Sequence, residues 1–351
     1  TYGCRYIEMD SLTQLALGAA VGESVMGRKV GHKALLWGAI AGTLPDLDVF
    51  IPLGDVVRDF TYHRSASHSL FVLAALTPLV VLLINRIHPQ YREHTKHWMM
   101  MIYLVFSTHV LLDSFTAYGT QIFWPFVTTP VSWSTIFIID PLYTLPLLVG
   151  ISAALIMSRQ HISGHRINNW GLALSCFYLM WTVVGKVIVE TNVRQALKQQ
   201  NMEYRKVFTT PSPFNSLLWR VLVKGDESYY EGFYSVLDND NNIQFNAYAD
   251  NEDLLQGIQG YWPVERLKWF SRGFYAVSLR DEDIVISDLR MGVEPNYVFR
   301  FKVGEISNPH ARPVIPERLH TEWDLSYLNL IWQRIWNKQI ILQYPQNTEQ
   351  S

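Results

Sequence analysis

Charge is scarce in this chain: Asp, Glu, Lys and Arg make up 17% of its 351 residues, against about 25% in ordinary soluble proteins. Neither sign dominates, with 29 basic against 31 acidic residues, so nothing indicates a basic face for nucleic acid. Cysteine is nearly absent. Cys4 and Cys176 are too few for a disulfide framework and leave the compartment open. Ser67, Ser69 and Ser107 lack a Gly-x-Ser-x-Gly elbow, which argues against a serine hydrolase. What the chain does have is an uneven distribution. The apolar excess lies before residue 191 and most acidic and amide residues follow it, which suggests a membrane half and then a soluble half.

A membrane helix needs about 20 mostly apolar residues. Residues 69–87, 98–115, 141–157 and 170–189 read as spans, with weaker Gly- and Ala-rich candidates at 12–26 and 34–53. The expected architecture is an α-helical transmembrane bundle of about six spans carrying a C-terminal α+β, mainly antiparallel, extramembrane domain. Residues 1–8 read as a leader or cloning remnant. Residues 9–190 form the expected transmembrane metal-site domain and residues 191–351 the soluble outer domain. Arg28, Lys29 and Lys33, then Arg86, Arg92 and Lys96, then Arg159 and Arg166 follow alternate spans. The positive-inside rule makes those loops cytoplasmic. The chain then reads as a multi-pass protein of a bacterial inner membrane, with its other ends and C-terminal domain facing the periplasm.

The acidic and imidazole side chains fall at that outer face. Asp46 and Asp48 stand in Pro45-Asp-Leu-Asp48, His63 and His68 in His63-Arg-x3-His68-Ser69, and His109 and Asp113 four apart in one segment. Asp10 and Asp140 open two further spans, Asp140 with helix capping as an equally good reading. Ionised groups at membrane depth cost several kcal/mol, on the order of 3, and usually mark function. The i, i+4 spacing sets His109 and Asp113 on one helix face, where both can bind one ion. Taken singly, these motifs also suit a hydrogen-bonded pair, a helix end and a wet loop. Taken together, Asp46, Asp48, His63, His68, His109 and Asp113 read as ligands of a divalent metal, best zinc, with manganese, iron or magnesium open. A metal-activated water would attack an ester or phosphoester. Asp46 or Asp48 could act as general base and Arg64 could hold a phosphoryl oxygen. The rival reading is an ion- or proton-coupled transporter, or a non-enzymatic membrane protein with a structural metal.

Asp10-Ser-Leu-Thr-Gln14, Pro45-Asp-Leu-Asp48, His63-Arg-x3-His68-Ser69 and His109-x3-Asp113-Ser-Phe-Thr-Ala-Tyr-Gly-Thr120 together resemble the YdjM family over about residues 9–159. The resemblance implies a bacterial inner-membrane metal-dependent hydrolase. A distant likeness to zinc-dependent phospholipase C and single-strand-specific zinc nucleases further implies phosphoester chemistry, with membrane lipids as surroundings and a lipid or phosphoester as substrate. One departure stands out: many relatives carry His in the first motif where this chain has Gln14, so a ligand from that position is not implied.

Beyond residue 190, β-forming stretches at 217–223, 229–237, 243–248, 273–279, 283–288 and 296–303 suggest an antiparallel sheet. Residues 252–259, 264–270 and 325–338 have helical spacing. Trp219, Tyr229, Tyr230, Phe233 and Tyr234 read as core or as a groove lining. Asp238-Asn-Asp-Asn-Asn242 lacks the spaced oxygens of a calcium loop.

Overall fold

The computed structural model describes residues 11–157, 163–307, 310–321 and 326–342. Asp10, Arg159, Cys4 and the first eight residues lie outside the described residues. The chain divides into two compact units. The first comprises the described residues to Ile51 together with Tyr62–Thr182, and the second Pro52–Thr61 with the described residues from Val183 on.

The first unit is helical. α1 (Ser11–Val30) packs antiparallel-fashion along α2 (Lys33–Thr43) through glycines. A Cβ on Gly18 would collide with the Gly38 carbonyl oxygen, and one on Gly42 would lie 2.6 Å from the Gln14 carbonyl oxygen. Only glycine permits so close a crossing. Pro45 cannot continue the α2 hydrogen-bond ladder, and the chain tightens into a 3-10 turn, Pro45–Phe50. After α3 (Val56–Tyr62), a second 3-10 turn, Ala66–His68, leads into α4 (Leu70–Ile87). Ser69 caps α4 by accepting from the Val72 N–H. α5 (Thr95–Ser114) buries Trp98, Met101, Ile102, Val105 and Phe106 at the centre of the unit's core. α6 (Pro141–Ile156) starts at Asp140, whose carboxylate accepts from the Leu142 N–H. α7 (Ser163–Gln199) closes the first unit with its early turns.

This architecture corrects the expected six-span bundle. Among the described residues only α4 and α7 are long and apolar enough to cross a membrane. α2 has 11 residues and α6 has 16, short of the required length. α1 and α5 have 20 residues each, but their Gly, Ser, Thr and charged side chains dilute the apolar character. Much of their surface is buried against neighbouring helices, which accounts for apolar runs that read as spans in the sequence.

In the second unit, β1 (Lys206–Pro211), β2 (Leu218–Lys224), β3 (Ser228–Ser235) and β4 (Phe245–Ala249) form an antiparallel meander. After α8 (Trp262–Phe270), β5 (Tyr275–Arg280) and β6 (Asp283–Asp288) pair with each other. A small ribbon, β7 (Gly292–Val293) with β8 (Asn296–Tyr297), follows. β9 (Arg300–Ser307) and β10 (His310–Arg318) complete a second sheet in the order β10-β9-β6-β5. Alternation along β2 sorts its side chains between clusters. Trp219, Val221 and Val223 pack with Val189, Val193 and Leu197 of α7, whereas Leu218 joins Tyr327, Ile331 and Ile335 of α9 (Ser326–Trp336). Trp219, Tyr229 and Tyr234 are therefore core, and Tyr230 and Phe233 pack partly buried beside them. Phe60 secures the Pro52–Thr61 excursion, with its ring 4.3–5.2 Å from Phe270, Phe299 and Phe301. Two sequence readings need correction. Residues 252–259 hold only a 3-10 turn, Glu252–Leu255, and the expected strand 296–303 is divided between β8 and β9.

Candidate metal centre

Three short sequence motifs deliver four buried ligand groups to one point. Asp46 comes from the 3-10 turn that Pro45 begins, His68 from the turn before α4, and His109 and Asp113 from successive turns of α5. One ligand atom from each lies within 4.8 Å of the other three. The two imidazole Nε2 atoms are 3.2 Å apart. His68 Nε2 is 3.3 Å from Asp46 Oδ1 and 3.1 Å from Asp113 Oδ2. His109 Nε2 is 3.4 Å from each of the same oxygens.

Those separations test the fit of a metal. Tetrahedral ligands about 2.0–2.1 Å from an ion stand about 3.3 Å from one another. The five distances above fall around that value. With both imidazole Nε2 atoms unprotonated, as a metal requires, Asp46 Oδ1 and Asp113 Oδ2 are buried and accept no hydrogen bond among the described residues. Leaving such acceptors unpaired is costly, and a cation at this point would satisfy both. Two imidazole nitrogens and two carboxylate oxygens form a donor set that suits a borderline divalent ion.

The surrounding hydrogen bonds aim these atoms. His109 Nδ1 donates to the Gly42 carbonyl at 2.7 Å, so its Nε2 keeps the lone pair turned to the centre. The glycine crossing of α1 and α2 thus places a backbone acceptor for a ligand. His68 Nδ1 donates to Ser67 Oγ at 2.9 Å, and that hydroxyl donates to Asp48 Oδ2 at 2.5 Å. Gln14 Nε2 donates to Asp113 Oδ1 at 3.0 Å and Arg64 Nη2 forms an ion pair with the same oxygen at 3.2 Å, which leaves Oδ2 facing the imidazoles.

Asp48 and His63 lie outside the quartet. They pair with each other, His63 Nδ1 donating to Asp48 Oδ1 at 2.7 Å. Arg64 has a left-handed backbone, φ 61°, held from both sides. Its N–H donates to Asp48 Oδ2 at 3.2 Å and its carbonyl accepts from the Gln121 N–H at 2.9 Å. That turn brings the guanidinium inward to Asp113 and to Thr116 Oγ1, at 3.3 Å. Asp140 is the α6 cap and also accepts from the Tyr178 hydroxyl at 2.7 Å. Sequence reading did not assign the supporting roles of Ser67, Gly42 and Gln14. The first motif flagged Gln14 only as a departure, and Ser67 lies between two motif residues without a signal of its own.

Charge balance follows from this packing. Burial alone would push the Asp46 carboxyl up, but the His109 and His68 imidazoles hold it below the usual carboxylate range. Burial opposes ionisation of Asp48 too, and His63 and His68 outweigh it. Burial would lower His68, yet Asp113 and Asp46 raise it above the ordinary imidazole value. A metal must displace the His68 proton to bind Nε2, so falling pH disfavours binding. Chelator competition at stepped pH should show affinity rising from pH 6 to pH 8, without levelling off at an ordinary imidazole pKa of about 6.5. A flat profile would contradict this arrangement.

Comparison with known proteins adds three findings. The chain is 23% identical over 276 residues to the uncharacterized protein YfhP of Bacillus subtilis (strain 168), covering 74% of this chain and 81% of that one. No solved structure matches. Residues 9–189, which include all four ligand groups and their supports, match the family model described as YdjM inner membrane protein. The match spans more than half of the sequence, and the chain belongs to the YdjM family.

Proposed function

We propose that this protein is a metal-dependent hydrolase of the inner membrane, acting on a phosphoester at the outer face, with zinc as its ion. The carrying observation is the buried His68–His109–Asp46–Asp113 quartet, with a guanidinium directed at it. The family's description as inner membrane protein and the two candidate spans, α4 and α7, support the location. Basic residues at the far end of α4, Arg86 and Arg92, support an outward-facing His68 end.

Asp46, His68, His109 and Asp113 would hold the ion. When bound, it would polarise a phosphoryl oxygen and make water a better nucleophile. Arg64 serves as the fixed cation for a phosphoryl oxygen, its buried guanidinium held 3.2 Å from Asp113 Oδ1. Asp48 orients His68 through Ser67 and holds His63 at the rim of the site. The two motifs thus divide between holding the ion and fixing its ligands.

The test is purified protein in detergent, analysed for bound metal and offered bis(p-nitrophenyl) phosphate and phospholipid-derived phosphoesters. Stoichiometric zinc and chelator-sensitive, zinc-restored turnover are expected. Turnover that persists in Asp46→Asn together with His109→Ala would sink the proposal.

A further inference from the structure

Beside the carboxylates lies a cavity of about 20 Å³, lined by Gln14, Asp46, Arg64, Asp113, Thr116 and Asp140 among others. A cavity needs at least about 10–15 Å³ to seat one water molecule, together with two to four polar partners. This one is large enough for a single water.

Gln14 supplies an acceptor there, and its orientation is not arbitrary. Its amide nitrogen donates to Asp113 Oδ1 at 3.0 Å and to the His109 carbonyl at 3.3 Å. Reversing the amide would set its oxygen against those two acceptors, so the hydrogen bonds determine which end is which. Oε1 must then point away from both. It is buried, in a residue 5% exposed, and receives no hydrogen bond among the described residues. Arg64, whose Nε is also buried and unpaired, lines the same cavity. Two residues that line this cavity thus carry an unpaired acceptor and an unpaired donor, and two ligand carboxylates line it with them.

We infer that this cavity seats the attacking water of the hydrolysis and that Gln14 is its positioning residue. The inference rests on the hydrolase reading above. The water donates one hydrogen bond to Gln14 Oε1 and accepts one from Arg64 Nε, which holds its oxygen beside the ligand carboxylates Asp46 and Asp113. In the step, water oxygen forms the new bond to phosphorus while the bond from phosphorus to the leaving oxygen breaks. One water proton ends on that departing oxygen and the other stays on the phosphate product. Gln14 thereby has two jobs: one end of its amide orients a ligand carboxylate, the other orients the nucleophile.

Gln14→Leu keeps the side-chain volume and removes both polar ends. The zinc-loaded protein and this variant are compared by crystal structure, zinc affinity and bis(p-nitrophenyl) phosphate kinetics. Expected are an ordered water on Gln14 Oε1 in the wild type, its loss in the variant, and kcat lower by about 10- to 100-fold with KM unchanged. Zinc affinity should fall far less, because Arg64 still holds Asp113 Oδ1. A cavity without solvent in the loaded wild type, full kcat in Gln14→Leu, or zinc affinity falling in step with kcat would each overturn the assignment. Should Gln14→Leu fail to fold, the wild-type solvent structure decides alone. A wild type that hydrolyses no phosphoester fails the hydrolase reading instead, a result separable from a working enzyme whose cavity is dry.

Discussion

His109→Ala is expected to lower zinc affinity by about 10²–10³-fold. Structural zinc sites contribute on the order of 10–16 kcal/mol through four ligands. One quarter of that is roughly 2.5–4 kcal/mol, which converts to the stated range. The imidazole is 1% exposed, and its Nδ1 is already committed to the Gly42 carbonyl. Among the described residues, no further His, Cys, Asp or Glu belongs to the ligand group. Asp48→Asn provides the contrast. Asp48 touches Ser67 and His63 but none of the central atoms at hydrogen-bonding distance, so its loss should cost about 10- to 100-fold, typical of a partner behind the ligands. Competition against a fluorescent chelator measures both. Equal losses in the two variants would show that the quartet is not the ion's cradle.

The second large effect concerns Arg64. Arg64→Met should reduce kcat/KM on a phosphoester by about 10²–10³-fold, the usual cost of removing one fixed donor from a developing negative charge. It should also destabilise the zinc-free protein more than the zinc-loaded one. Without the guanidinium, Asp113 Oδ1 keeps only the Gln14 amide, and breaking a buried pair costs about 3–5 kcal/mol. A bound cation offsets part of that loss. Arg64→Gly serves as a partner variant, because glycine relieves the left-handed strain of about 1–2 kcal/mol at φ 61° while removing the same charge. Thermal unfolding with and without zinc, alongside kinetics, separates the contributions. Identical melting shifts in both metal states would contradict the role assigned to Arg64.

Much of the centre was legible in the sequence because its parts are local. The His109–Asp113 spacing fixes a helix face, and Pro45 fixes where Asp46 leaves the helix. What joined them was not legible. Whether His63 or His68 turns inward depends on Asp48 and Ser67, which are neighbours only after folding. The span count misled for a related reason: a helix buried among helices and one facing lipid carry similar apolar runs, and α5 is largely of the first kind. In the second unit, alternation located β2, β3 and β6 closely. β10 escaped notice because two prolines and several charges mask its pattern, as suits an edge strand. β1 is short and ends in Pro211, so its pattern is equally faint.

The glycine crossing of α1 and α2 acts as a calliper. Gln14 sits on one jaw and Gly42 on the other, in backbone contact, and each reaches α5 by a hydrogen bond. A methyl group added at Gly18 or Gly38 would touch neither ligand nor cavity. It would nonetheless spread the jaws, and His109 and Asp113 would lose alignment together. The bite of the metal centre is therefore set by two residues with no side chain.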